Sequence, residues 1–66
     1  MSDRRELENL IRGIDAEIDD ARRDIKEADT TGDDEARQVA MRDLAALEDQ
    51  RQQAVDSLNR LGEQQP

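Results

Sequence analysis

Apolar residues recur along this chain at alternating spacings of four and three. In the first half they are Leu7, Ile11, Ile14, Ile18, Ala21, Ile25 and Ala28. In the second half Ala40, Leu44, Leu47, Ala54, Leu58 and Leu61 keep the same rhythm, with Arg51 standing where one more apolar residue belongs. A heptad seam of this kind has the 3.5-residue period of a left-handed coiled coil. Ile11, Ile18 and Ile25 take position a, and Leu7, Ile14, Ala21 and Ala28 position d. In the second run Leu44, Arg51 and Leu58 are a, while Ala40, Leu47, Ala54 and Leu61 are d. Two such runs do not arise in a disordered chain by composition alone.

Between the runs lies "EADTTGDDEARQ", residues 27–38, the one dense group of helix-breaking residues. Gly32 can take the left-handed conformation that ends a helix. Asp33 can then accept a hydrogen bond from an exposed amide of the next turn, with Asp34 and Glu35 near the positive end of that helix. Asp3 and Glu6 give the first helix a capping-box start, and Gly62 with the residues after it is expected to end the second. The expected domain is therefore one helical hairpin over 1–66: a helix at about 3–30, a turn at about 30–34, a helix at about 34–61 and a short disordered tail at 62–66.

Folding the chain between Gly32 and Asp33 pairs residues whose numbers sum to 65. Ile25 then meets Ala40, Ala21 meets Leu44, Ile18 meets Leu47, Ile14 meets Arg51, Ile11 meets Ala54 and Leu7 meets Leu58. Each layer joins an a residue to a d residue, as an antiparallel coiled coil requires. Two seams assigned separately thus agree on one turn. The fold class is all-α: an antiparallel two-helix coiled-coil hairpin with helices about 40 Å long at 1.5 Å per residue.

Several layers combine one large aliphatic with one methyl group, so the seam barely offsets about 1.5 kcal/mol of ordering entropy per residue. Small scaffolds without staples commonly gain the missing burial by oligomerising. A homodimer forming a four-helix bundle is expected. Leu10 and Val55 also sum to 65 and are expected to flank one edge, with Met41 on that edge nearer the turn. These three are the candidate contact residues.

Composition narrows the chemistry. The chain has no Phe, Tyr, Trp, Cys or His. That removes disulfides, thiolate and imidazole metal sites, and Ser-His or Cys-His nucleophile chemistry. No apolar run approaches the roughly 18 residues of a spanning helix, and the N-terminus lacks a signal-peptide core. A cytoplasmic protein without membrane attachment is expected. Eighteen acidic against ten basic residues leave a net charge of −8, a field that opposes direct nucleic-acid binding. Exposed carboxylates on helix surfaces have no pocket to shift their pKa values, so no enzyme activity, catalytic residue or cofactor is expected.

Two features bear on sites. Asp29, Asp33, Asp34 and Glu35 offer oxygen ligands, but their spacing is not that of a calcium loop, and capping already accounts for the last three. No metal is assigned, and Asp29, Asp34 and Glu35 remain candidate contact residues at the tip. Arg51 is the register-setting core charge: its stem lies in the seam while its guanidinium is expected to sit between Glu48 and Glu17. Arg5, Arg12 and Lys26 share a heptad position that Asp19 interrupts, as expected of a solvated face.

A hairpin of this length with alternating small and large layers resembles the plasmid copy-number regulator Rop in architecture. "IKEADTTGDDEARQVAMRDLAALE" is similar to the hairpin motif of the UvrB and UvrC repair proteins in its acidic turn and its "RDLAALE", without the aromatic at that motif's turn. "EADTTGD" is similar to the acidic coiled-coil tip of Gre-type transcript-cleavage factors, which carry a second, globular domain. The resemblances imply a hairpin and carry over no site residue. The leading functional expectation is a non-enzymatic helical interaction or regulatory module, acting through self-association and an unidentified protein partner. Two others follow it: an acidic mimic of nucleic acid that inhibits a DNA- or RNA-binding protein, and an acidic-tipped hairpin that inserts into a transcription or repair enzyme.

Overall fold

Alternating three- and four-residue spacings build two helices in the computed structural model, which describes residues 3–64. Helix α1 spans Asp3–Thr31 and α2 spans Asp34–Gln64. They lie against each other in an antiparallel hairpin with principal extents of 53 × 14 × 11 Å. The radius of gyration, 15.3 Å, exceeds the roughly 11 Å of a globular chain this long, so the molecule is a rod.

The turn follows from two residues. Gly32 has φ 74°, the left-handed region that costs a side-chain-bearing residue about 1–2 kcal/mol. This lets the Asp33 amide donate back to the Ala28 carbonyl at 2.9 Å, the six-to-one bond of a Schellman motif. Asp33 then begins the next helix: its carbonyl accepts from the Arg37 amide at 3.0 Å, and its Oδ1 from the Ala36 amide at 3.1 Å. One residue thus closes α1 and caps α2. The hydroxyls of Thr30 and Thr31 donate to the Lys26 and Glu27 carbonyls, covering the last turn of α1.

No atom lies within 4 Å of where a Gly32 Cβ would be, so a substitution there meets backbone strain and no clash. Gly32→Ala is expected to lower stability by about 1–2 kcal/mol, and Gly32→Asn by less, because Asn tolerates this conformation. Urea unfolding curves would reverse the assignment if Asn proved as costly as Ala.

Ile14, Ile18, Ala21 and Ala28 from α1, with Ala40 and Ala54 from α2, form the buried core. Leu7, Ile11, Ile25, Leu44, Leu47, Leu58 and Leu61 are only half-buried. All thirteen are the a and d residues read from the spacing. The bounds of α1 are close to those expected, and the far end of α2 departs from expectation. α1 opens at Asp3 itself, placing Asp3 and Glu6 in the first turn. α2 runs through Gly62 to Gln64, three residues beyond the expected end at 61. Gly62 lies in open space, and a glycine inside a helix costs only about 1 kcal/mol relative to alanine. The rest of the expected tail, residues 65 and 66, lies outside the described residues.

Candidate interaction surfaces

Each seam has two flanks, formed by positions e and g beside the a and d residues. In an antiparallel hairpin e of one helix neighbours e of the other, and g neighbours g. The grooves of the structure follow this rule. One is lined by Asp15, Ile18, Asp19, Arg22, Glu48, Arg51 and Gln52, and contains the e residues Asp15, Arg22 and Glu48. The opposite groove contains the g residues Glu17, Asp24, Asp43 and Gln50, with Asp20, Ala21, Ala46 and Leu47.

Arg51 leaves its seam position toward the e flank. Its Nε donates to Asp15 Oδ1 at 2.6 Å, and both side chains stay about half exposed. This corrects the expected partners. Glu17 is a g residue and lines the opposite groove, while Glu48, in the same groove as Arg51, makes no ion pair with it. Asp15 is next to Ile14, the residue Arg51 opposes in its layer, so a snorkelling guanidinium reaches it directly.

Arg37 repeats the arrangement fourteen residues earlier. Its Nε donates to Asp29 Oδ1 at 3.0 Å. Both arginines occupy position a of α2 and both aspartates position e of α1, two heptads apart on each helix. The sum of 65 puts Arg37 opposite Ala28, and its ion pair with Asp29 was not among the expected contacts. The shared heptad position of the two arginines was the available signal.

The same geometry separates the expected apolar contact residues. Met41 and Val55 hold position e of α2, seven residues before and after Glu48, and belong to the e flank. Leu10 holds position g of α1, seven residues before Glu17, and belongs to the opposite one. The expected single edge of Leu10, Met41 and Val55 therefore does not exist, because a common sum of 65 fixes height along the rod and not side. Leu10 and Met41 are 53% and 49% exposed, and Val55 is half-buried. Val39, exposed at 52%, is a further apolar residue that the pattern did not single out; it lines the turn end of the g groove.

Charge divides between the flanks. Positions g and c carry Asp3, Glu6, Glu17, Asp20, Asp24, Glu27 and Asp43 against Arg60 alone, a balance of −6. Positions e and b carry Glu8, Asp15, Asp19, Asp29, Asp34 and Glu48 against Arg5, Arg12, Arg22 and Lys26. Arg37 and Arg51, which reach this flank through their ion pairs, bring it to zero. Most of the net −8 thus lies along one edge of the rod.

At the tip, Asp29 is engaged by Arg37 and Asp33 by its cap, which leaves Asp34 and Glu35 exposed in the first turn of α2. Among the described residues no group of three carboxylates lies close enough to hold a metal ion, and no helix is long and apolar enough to cross a membrane. Comparisons with protein-family models, with curated proteins and with solved structures found no match for the chain.

Proposed function

We propose that the chain is a small, non-enzymatic interaction module of the cytoplasm that works as a homodimer and presents its outer surface to a protein partner. The supporting observation is the exposure of its own seam. Among the described residues no large side chain is fully buried, and seven of the thirteen apolar a and d residues are only half-buried. The accessible surface is 5348 Å², against about 4,250 Å² for a compact monomer of 7.5 kDa. The excess, about 1,100 Å², is of the size that one partner covers in a stable interface, about 800 Å². Sedimentation equilibrium at micromolar concentration is expected to give about twice the chain mass. The melting temperature should rise with protein concentration, since association stabilises the folded chain by mass action. A monomer whose melting temperature ignores concentration would end this reading.

The acidic g flank supports a second reading, mimicry of nucleic acid. Glu17, Asp20, Asp24 and Asp43 line one groove with no basic residue among its lining. Binding to a nucleic-acid-binding protein that DNA or RNA competes away would favour it. Insertion of the tip into an enzyme has less support, because Asp29 and Asp33 already have partners within the hairpin.

A further inference from the structure

We propose that a second copy of this chain docks on the e flank, which carries Met41 and Val55, antiparallel and about a two-fold axis through Glu48. The inference rests on the self-association proposed above and specifies its geometry. Charge selects the flank. Two g flanks placed together would oppose −6 to −6, whereas two e flanks are each neutral once Arg37 and Arg51 are counted. Like charges brought face to face suppress an association, and balanced edges do not.

The positions of the apolar residues then select the axis. In layers that sum to 65, Val55 lies at the level of residue 10 on α1 and Met41 at the level of residue 24. Their midpoint is level 17, where Glu48 lies and where α1, Asp3–Thr31, has its own centre. A two-fold perpendicular to the rod at that level sets Val55 over Met41 of the second copy, twice, and overlaps the two rods along their whole length. Isologous contacts of this kind pair each residue with its mirror level. Lys26 then meets Glu8 of the second copy, and Arg5 meets Asp29. Three like-charge contacts accompany these: Arg12 opposite Arg22, Asp15 opposite Asp19, and Glu48 against its own copy on the axis. Each has an opposite charge of its own chain within one helical turn: Glu8 and Asp15 beside Arg12, Asp19 and Arg22 beside each other, and Arg51 paired with Asp15 and one turn from Glu48. A two-fold along the rod would instead keep every residue at its own level, α1 facing α2 of the second copy, and would leave Val55 about 21 Å from Met41 at 1.5 Å per residue. The antiparallel docking covers the half-exposed e side of the seam and leaves the acidic flank outward.

Single cysteines test this directly, because the chain has none. The variants Glu48→Cys, Leu10→Cys, Val55→Cys and Met41→Cys would be treated at micromolar concentration with a short bis-maleimide, after circular dichroism has shown each to be helical. Glu48→Cys is expected to link to itself and Leu10→Cys to remain unlinked. Val55→Cys alone should not link, since its two copies lie about 21 Å apart along the rod at 1.5 Å per residue. Mixed with Met41→Cys it should link, in up to about half of the dimers if the chains pair at random. Failure of Glu48→Cys to link in a chain that still sediments as a dimer would move the interface off the e flank, and self-linking of Val55→Cys would turn the axis along the rod. Either result overturns the proposed geometry while leaving a dimer. A monomer throughout would overturn self-association itself.

Discussion

Ile18→Asp is expected to abolish the cooperative thermal transition. Ile18 is 6% exposed at the centre of α1, in the layer with Leu47. Removing a buried isoleucine forfeits about 1.5–3 kcal/mol of burial. The incoming carboxylate must then sit unpaired in the seam or take up a proton, at a further cost of several kcal/mol. A chain this small has roughly 3–10 kcal/mol of stability in total at 0.05–0.15 kcal/mol per residue. The two losses together consume most or all of it. Circular dichroism should show a gradual, non-sigmoidal loss of helix on heating. Asp19→Asn, one residue away and exposed, should melt as the parent does. If both variants kept a cooperative transition, the a and d seam would not be what holds the helices together.

The second large effect is a gain. Arg37 and Arg51 occupy seam positions that a leucine would fill, and each contributes an ion pair whose partners stay about half exposed. Exposed pairs contribute about 0.2–1 kcal/mol, less than the roughly 1.5–3 kcal/mol of a fully buried leucine. The double variant Arg37→Leu/Arg51→Leu is therefore expected to be more stable by about 2 kcal/mol in all, allowing for incomplete burial in an open seam. Urea midpoints would show the gain. The same variant removes two positive charges from the e flank, turning a neutral edge into one of −2, and adds two apolar residues beside it. Its assembly should become less specific, with species larger than a dimer in sedimentation velocity. Loss of stability in the double variant would mean that the arginines contribute more through their stems and ion pairs than leucines could.

Most of the fold was legible because the heptad needs only distances along the chain. Ile14, Ile18 and Ala21 face the seam in any antiparallel arrangement, and Gly32 followed by Asp33 signals a turn through local chemistry alone. The side of the seam was harder. Leu10 precedes an a residue and Val55 follows a d residue, and these two steps rotate away from the seam in opposite senses. Arithmetic on residue numbers gives their common height and is silent about that rotation. The partner of Arg51 was misjudged in part for the same reason: Glu17 is close in height to Asp15 but on the other flank, while Glu48 shares the flank and still makes no ion pair with Arg51. The end of α2 depends on a balance of about 1 kcal/mol at Gly62, too small for a single glycine to decide. The division of charge between flanks was also invisible until the flanks were known.

The repeated pair of Arg at position a and Asp at position e also has a consequence for the order in which the hairpin assembles. Asp29 and Arg37 enclose seven residues, whereas Asp15 and Arg51, in the same local geometry, enclose thirty-five. Closing the larger loop from an open chain costs about 1.4 kcal/mol more, by the logarithmic dependence of closure entropy on length. That difference disappears once the inner pair has formed, because each further layer then adds only a few residues to a loop already closed. Assembly therefore runs outward from Gly32, one layer after another, toward Leu7 and Leu58. Interactions near the turn belong to the early part of that process and set how fast the chain folds. Those at the open end form last, and they set how quickly it begins to come apart.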